Sequence, residues 1–188
     1  MTTALLTDKQ KLKKPPLEIH YLGDRVLRQP AKRISQVNNE IRQLARTMLQ
    51  TMYSADGIGL AAPQVGVNKQ LIIVDLQPEE AANPPLIMVN PAIRQFSPEI
   101  ELGQEGCLSI PGVYLDVKRP AMIEVAYKDE QGRPQVLFAT ELLARAIQHE
   151  IDHLTGIMFV DRVENLVLLN QELKEHGFSR HAVKPIAE

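Results

Sequence analysis

The chain has 188 residues, 44% of them hydrophobic and 23% charged, and a formal net charge of −2; its length fits one domain with its own core. That balance offers no basic excess for nucleic acid, no apolar run is long enough to span a bilayer, and the first residues lack the apolar core of a secretion signal. A single cysteine, Cys107, excludes an intramolecular disulfide and fits a reducing compartment, so a cytoplasmic location is expected.

In chain order, residues 1–16 are polar and lysine-rich, end in Pro15-Pro16, and read as a loosely ordered extension. Residues 17–175 read as a single catalytic domain and 176–188 as a polar tail. Leu17 to Leu22 is expected as a short strand and Asp24 to Arg28 as a helical turn closed by Pro30. From Asn38 to Ser54 the spacing is helical, with Ile41, Leu44, Ala45, Met48 and Met52 on one face, Asn38 or Asn39 as N-cap, and Asp56-Gly57 as stop. Gln70 to Asp75 reads as a buried strand. Leu86 to Asn90 reads as another, ended by Pro91. Val113 to Lys118 alternates, and Met122 to Lys128 turns at 129–132 into Gln135 to Ala139 as a hairpin. A helix over Glu141 to Leu154, stopped by Gly156, and a last one near Glu164 to Glu175 complete an α+β pattern: antiparallel and mixed sheets around a central helix.

That central helix carries Gln148-His149-Glu150-Ile151-Asp152-His153, an H-E-x-x-H pattern. Positions i and i+4 share a helix face, so His149 and His153 can grip one divalent metal while Glu150 reaches a water bound to it. Leu142, Arg145 or Ala146, His149 and His153 form one stripe. The stripe would serve as ordinary core, but histidines within it are easier to explain if a metal satisfies them. A catalytic metal needs a third protein ligand. The metzincin extension fails, because Phe159 stands where its last histidine belongs. Glu172 or Glu175 would complete a thermolysin-like site but fits a solvated helix face equally well. Cys107, within Gln104-Glu105-Gly106-Cys107-Leu108-Ser109, offers a thiolate beside a glycine that permits close backbone approach. It lies between β elements, where a loop would carry it to the helix. The run from Gly57 to Gly66 reads either as a connector or as a surface a substrate lies against, with Gln64 as a neutral donor to a developing oxyanion.

Together, Gly57-Ile58-Gly59-Leu60-Ala61-Ala62-Pro63-Gln64, Glu105-Gly106-Cys107-Leu108-Ser109 and Gln148-His149-Glu150-Ile151-Asp152-His153 resemble, in order, the three signature motifs of peptide deformylases. The resemblance runs from about Leu17 to Val163. The N-terminal extension and Pro111-Gly112-Val113-Tyr114 look like the plant-organelle and cyanobacterial side of that family. The resemblance implies a deformylase-like fold and removal of the formyl group from N-formylmethionyl nascent peptides. It implies Cys107, His149 and His153 as metal ligands, Glu150 as general acid/base, and Gln64 with the Leu108 N–H as oxyanion donors. It further implies one divalent metal per chain, natively iron(II), with zinc, nickel or cobalt as substitutes. Ile58, Leu142 and Ala146 would line a methionine pocket with Arg145 at its mouth, the Arg145 charge staying in water. Gly59 and Gly106 would let the peptide run alongside as an added strand, and Glu105 is expected to pair with Arg119 to brace the cysteine loop. A monomer is expected, with contact near the ribosome exit and an organelle stroma or matrix as the alternative location. The competing readings are a zinc-dependent endopeptidase with a glutamate third ligand, and a protein that binds nascent N-termini without catalysis.

Overall fold

The computed structural model describes residues 9, 11–80 and 82–186; the rest of the anticipated N-terminal extension and the last two tail residues lie outside them. Helix α1 spans Asn39–Ser54, and the Asn38 side chain accepts from the Ile41 N–H at 3.1 Å, as an N-cap should. Strands β1 (Gly59–Ala61), β2 (Leu71–Val74), β3 (Leu86–Phe96), β4 (Ile100–Cys107), β5 (Ile110–Pro120), β6 (Met122–Lys128) and β7 (Pro134–Thr140) follow. Helices α2 (Glu141–Leu154) and α3 (Leu166–Glu175) end the order. Five strands form one sheet in the order β1-β2-β3-β6-β7, and β4-β5 stands apart as a two-stranded hairpin. Every pair of named strands is antiparallel. The mixed sheet anticipated from the sequence therefore does not form among the described residues, and the parallel pairing present is the isolated bridge between Lys32 and Lys69.

All four β2 residues are buried, and the period-2 pleat explains how. Leu71 and Ile73 pack with Ile41, Ala45, Met48, Leu49 and Met52 of α1. Ile72 and Val74 pack with Ala144, Ile147 and Leu154 of α2. The sheet is thus held between two helices. A third apolar cluster joins Val113, Leu115 and Val117 of β5 to Phe159 and to Leu169 and Leu173 of α3.

Three local expectations are corrected. Residues 17–22 form no strand; they are stitched down singly, the His20 N–H donating to the Gln64 carbonyl at 2.8 Å and the Leu22 N–H to the Ser109 carbonyl at 2.9 Å. Pro91 does not end its strand. β3 continues to Phe96 through a register shift between Val89 and Ala92, a bulge where the missing N–H of proline costs no ladder bond. The cysteine segment is strand β4 rather than a loop, paired residue by residue with β5 until the shift between Gly106 and Cys107.

Asn90 anchors the bulge. Its backbone is left-handed, with φ of 51°, and its buried side-chain amide exchanges bonds of 2.8 Å with both the N–H and the carbonyl of Ile34. Asn90→Ala loses both bonds and adds a left-handed penalty, so it should lower unfolding free energy by about 2–4 kcal/mol, read by urea denaturation. Asn90→Gly keeps the backbone conformation and should cost less.

Candidate active site

The site forms where the β4-β5 hairpin meets α2 and the β1 segment. Cys107 ends β4, and His149 and His153 project from one face of α2. One ligand atom from each of the three lies within 4.8 Å of the others; Cys107 Sγ is 3.3 Å from His153 Nε2. Sγ also accepts from the Ser109 N–H and from Gln64 Nε2, both at 3.4 Å. The His149 ring stands edge-on to His153 and stacks on Phe159, so the residue occupying the metzincin ligand position acts as a wall. Glu172 and Glu175 lie outside the cluster, engaged within the α3 region with His176 and Gln171.

The ligand histidines are held by charges the motif only partly announces. Glu105 Oε2 is 2.9 Å from His149 Nδ1, which directs Nε2 into the site. The same carboxylate is gripped in a fork by Arg119, at 2.7 and 2.9 Å, confirming the expected brace. Arg119 also donates to Asp152 Oδ2 at 2.7 Å, and Asp152 receives Arg162 through two bonds of 2.6 Å. Burial alone would raise the Glu105 carboxyl, yet the bonds from Arg119 and His149 hold it well below the usual carboxylate range. Arg119 is likewise kept charged by Glu105 and Asp152 against its burial. Burial first, then His149, Arg119 and Arg28, hold His153 neutral, the form a metal ligand requires.

Glu150 is buried, and that burial pushes its carboxyl up to about 7, while neighbouring His149 pulls the other way. Its carboxylate packs directly against Gly59, where a Cβ would collide with Oε1; Oε2 meets no partner among the described residues. Gln64 is buried, its Oε1 accepting from the Ala61 N–H at 2.8 Å and its Nε2 donating to Ser109 Oγ at 3.1 Å. The connector reading of 57–66 holds only for Gly57 and Ile58, which join α1 to β1; the rest is β1 and a buried 3-10 turn (Ala62–Val65) closed by Gly66. Leu108 lies under Gly57, where an added Cβ would meet its side chain at 2.7 Å.

A cleft of about 470 Å³ opens over these groups. Ile58 and Leu142 stand half-exposed at its rim and Ala146 is buried beneath. Two assignments change in detail. The Arg145 charge does not stay in water: its guanidinium donates to Glu105 at 2.8 Å and to the carbonyls of Gly103, Val117 and Glu101. The space beside Gly106 is taken by the Tyr114 ring. Residues missed at the sequence level are Ser109, Asp152 and Arg162. Arg119 did carry a signal, because on β5 it falls in phase with the core-facing Val113, Leu115 and Val117.

Arg119→Met leaves Glu105 and Asp152 buried with fewer partners. It should lower stability by about 3–5 kcal/mol in denaturant melts. The depressed Glu105 pKa stabilises the fold above the unfolded carboxyl value of about 4.3, and that contribution fades as pH falls below it. Glu105→Gln should therefore flatten the loss of stability between roughly pH 4 and 2, read by melts across that range.

Residues 16–168 match the family model for polypeptide deformylase. A peptide deformylase of Thermosynechococcus vestitus is 69% identical over 187 residues, covering 100% of both chains, and peptide deformylase 1 of Nostoc is 67% identical with the same coverage. The crystal structure of a Synechococcus elongatus peptide deformylase in complex with actinonin superposes with a TM-score of 0.93 at 65% identity, over 95% of this chain and 97% of that one. A plant peptide deformylase structure gives 0.80 at 36% identity, over 89% and 90%. This chain belongs to the polypeptide deformylase family.

Proposed function

We propose that this chain removes the formyl group from the N-terminal formyl-methionine of newly made polypeptides, adding water across the amide to give formate and a free amine. The observation that carries the reading is the convergence of Cys107, His149 and His153 beside the Glu150 carboxylate in one cleft. A thiolate and two imidazoles are a donor set for a divalent ion, and the buried Glu150 Oε2, without a partner among the described residues, suits a group that acts on what enters the site. Cys107, His149 and His153 hold the metal in this reading, natively iron(II), with zinc, nickel or cobalt as substitutes. A divalent ion held by these residues would supply Lewis acidity and lower the pKa of a water toward neutrality.

The chain's own groups do the rest. Glu150 accepts the proton of the attacking water and passes it to the leaving amine; burial raises its carboxyl above the usual carboxylate range, which suits a group that must both take and give a proton. Gln64, its amide plane fixed by the Ala61 N–H, and the backbone N–H of Leu108 meet the negative charge that builds on the formyl oxygen. Glu105 keeps His149 in the tautomer that ligates. Ile58, Leu142 and Ala146 receive the methionine side chain, with the Arg145 stem packed alongside. Gly59 leaves room for the Glu150 carboxylate, and Gly106 leaves room for the Tyr114 ring beside the strand along which a peptide backbone would run.

The endopeptidase reading is not favoured, since the converging third group is Cys107 and both α3 glutamates lie elsewhere. The relatives from Thermosynechococcus and Nostoc are cyanobacterial, and in this reading the chain is a bacterial enzyme that works as a cytoplasmic monomer on chains leaving the ribosome.

Formate release from a formyl-methionyl peptide, measured without oxygen, should be abolished by a chelator and restored by iron(II). Glu150→Gln should keep its metal and lose at least about 100-fold in turnover; full activity would remove the proton-transfer role. Cys107→Ala should lose its metal, counted by elemental analysis, and a variant that retains it would reinstate a glutamate ligand.

A further inference from the structure

The wall of the cleft formed by Ala55, Asp56, Gly57 and Ile58 joins α1 to β1. Asp56 sits in the left-handed region, with φ of 58°, where an aspartate is tolerated but not favoured. The wall is tethered from outside by the N-terminal arm. The Lys9 ammonium meets four oxygens: Asp75 Oδ2 at 2.8 Å and the carbonyls of Gln77, Glu80 and Asn83 at 3.1, 2.9 and 2.8 Å. Asp75 in turn accepts from the buried Tyr53 hydroxyl of α1 at 2.7 Å, and its backbone N–H donates to the carbonyl of Ile58 at 2.8 Å. Lys11 pairs with Asp56 itself, and the Leu12 N–H donates to Ser54 Oγ at 3.0 Å. Arm contacts therefore fall at the start of the wall, on the wall, and on the residue that receives its far end.

We propose that Lys9 and Lys11 are positioning residues for substrate binding: the arm is a strap that holds Asp56–Ile58 in the conformation that accepts the substrate's first side chain. This rests on the deformylase reading above. Neither lysine is among the residues lining the cleft. Both act through the wall, whose Ala55, Asp56 and Gly57 N–H groups bond back to carbonyls of the last turn of α1 and which has no strand pairing before β1 begins at Gly59. Strapping raises the fraction of molecules whose wall is competent, and apparent affinity scales with that fraction. The Lys9 tie is mostly buried, its side chain 10% exposed, whereas the Lys11 pair is open to solvent at 56% and 73%; the first is the firm attachment and the second an adjustable one.

The test uses Lys9→Met, Lys11→Met and Lys11→Arg in the full chain loaded with metal. Expected is hydrogen exchange at amides 55–58 about tenfold faster in Lys9→Met and about threefold faster in Lys11→Met. KM for a formyl-methionyl peptide should rise about fivefold in Lys9→Met and about twofold in Lys11→Met, with kcat unchanged in both. Lys11→Arg, which keeps a cation facing Asp56, should retain the wild-type KM. An unchanged KM, a fall in kcat at constant KM, or a Lys11→Arg variant as impaired as Lys11→Met overturns the proposal. Lys11 is exposed, so its variants fold even if Lys9→Met does not. Wild-type protein that releases no formate overturns the functional reading instead, and the strap is then decided by exchange alone: rates at 55–58 equal to wild type overturn it.

Discussion

The ion pair between Arg119 and Glu105 is the contact on which the site depends. Both residues are almost fully buried, and taking two charges out of water is repaid only if nearly every polar atom finds a partner. Here they do. Arg119 spends its fork on Glu105 and its remaining arm on Asp152, while Glu105 also receives Arg145 and His149. The consequence is geometric. Arg119 lies on β5, Glu105 on β4, and Asp152 and His149 on α2, so one guanidinium sets the distance between the hairpin that carries the cysteine and the helix that carries the histidines. An apolar substitute of equal volume would fill the space but would fix neither the ring orientation of His149 nor the register of the hairpin against the helix.

Much of this was legible in the sequence. Helical spacing defines α1 and α2, and strict alternation around a polar turn defines the β6-β7 hairpin, because in both cases the buried face repeats with the period of the element. The metal-ligand candidates were legible because i, i+4 histidines are informative without any tertiary knowledge. The hairpin partner of β5 was not. Residues 100–107, Ile-Glu-Leu-Gly-Gln-Glu-Gly-Cys, carry two glycines and three carboxylate or amide side chains, and little in them favours a strand until their partner is known. The Gly103 gap that admits the Arg145 guanidinium and the Gly106 gap that admits Tyr114 exist only in the folded pairing. Arg145 was misplaced for the same reason: a helix stripe predicts which way a side chain faces but not the three carbonyls that wait for it.

The left-handed Asn90 and the proline after it show a different limit. A proline reads as the end of a strand when considered alone. β3 instead absorbs it in a bulge stabilised by a side chain contact to residue 34, more than fifty positions away, and no local pattern announces such a partner.

The β4-β5 hairpin has a further consequence. Among the described residues it shares no backbone ladder with the five-stranded sheet; besides single backbone bonds such as Leu22 to Ser109, it is fastened to the body through side chains, on one side by the apolar cluster with α3 and on the other by the Arg119 network. Cys107 rides at its end. The three ligand side chains are therefore contributed by two separate units, Cys107 by the hairpin and His149 and His153 by α2, and an ion shared by them would tie the two together. A divalent ion held by all three would bind the docked arrangement better than the separated one, and would stabilise the fold by that difference in affinity.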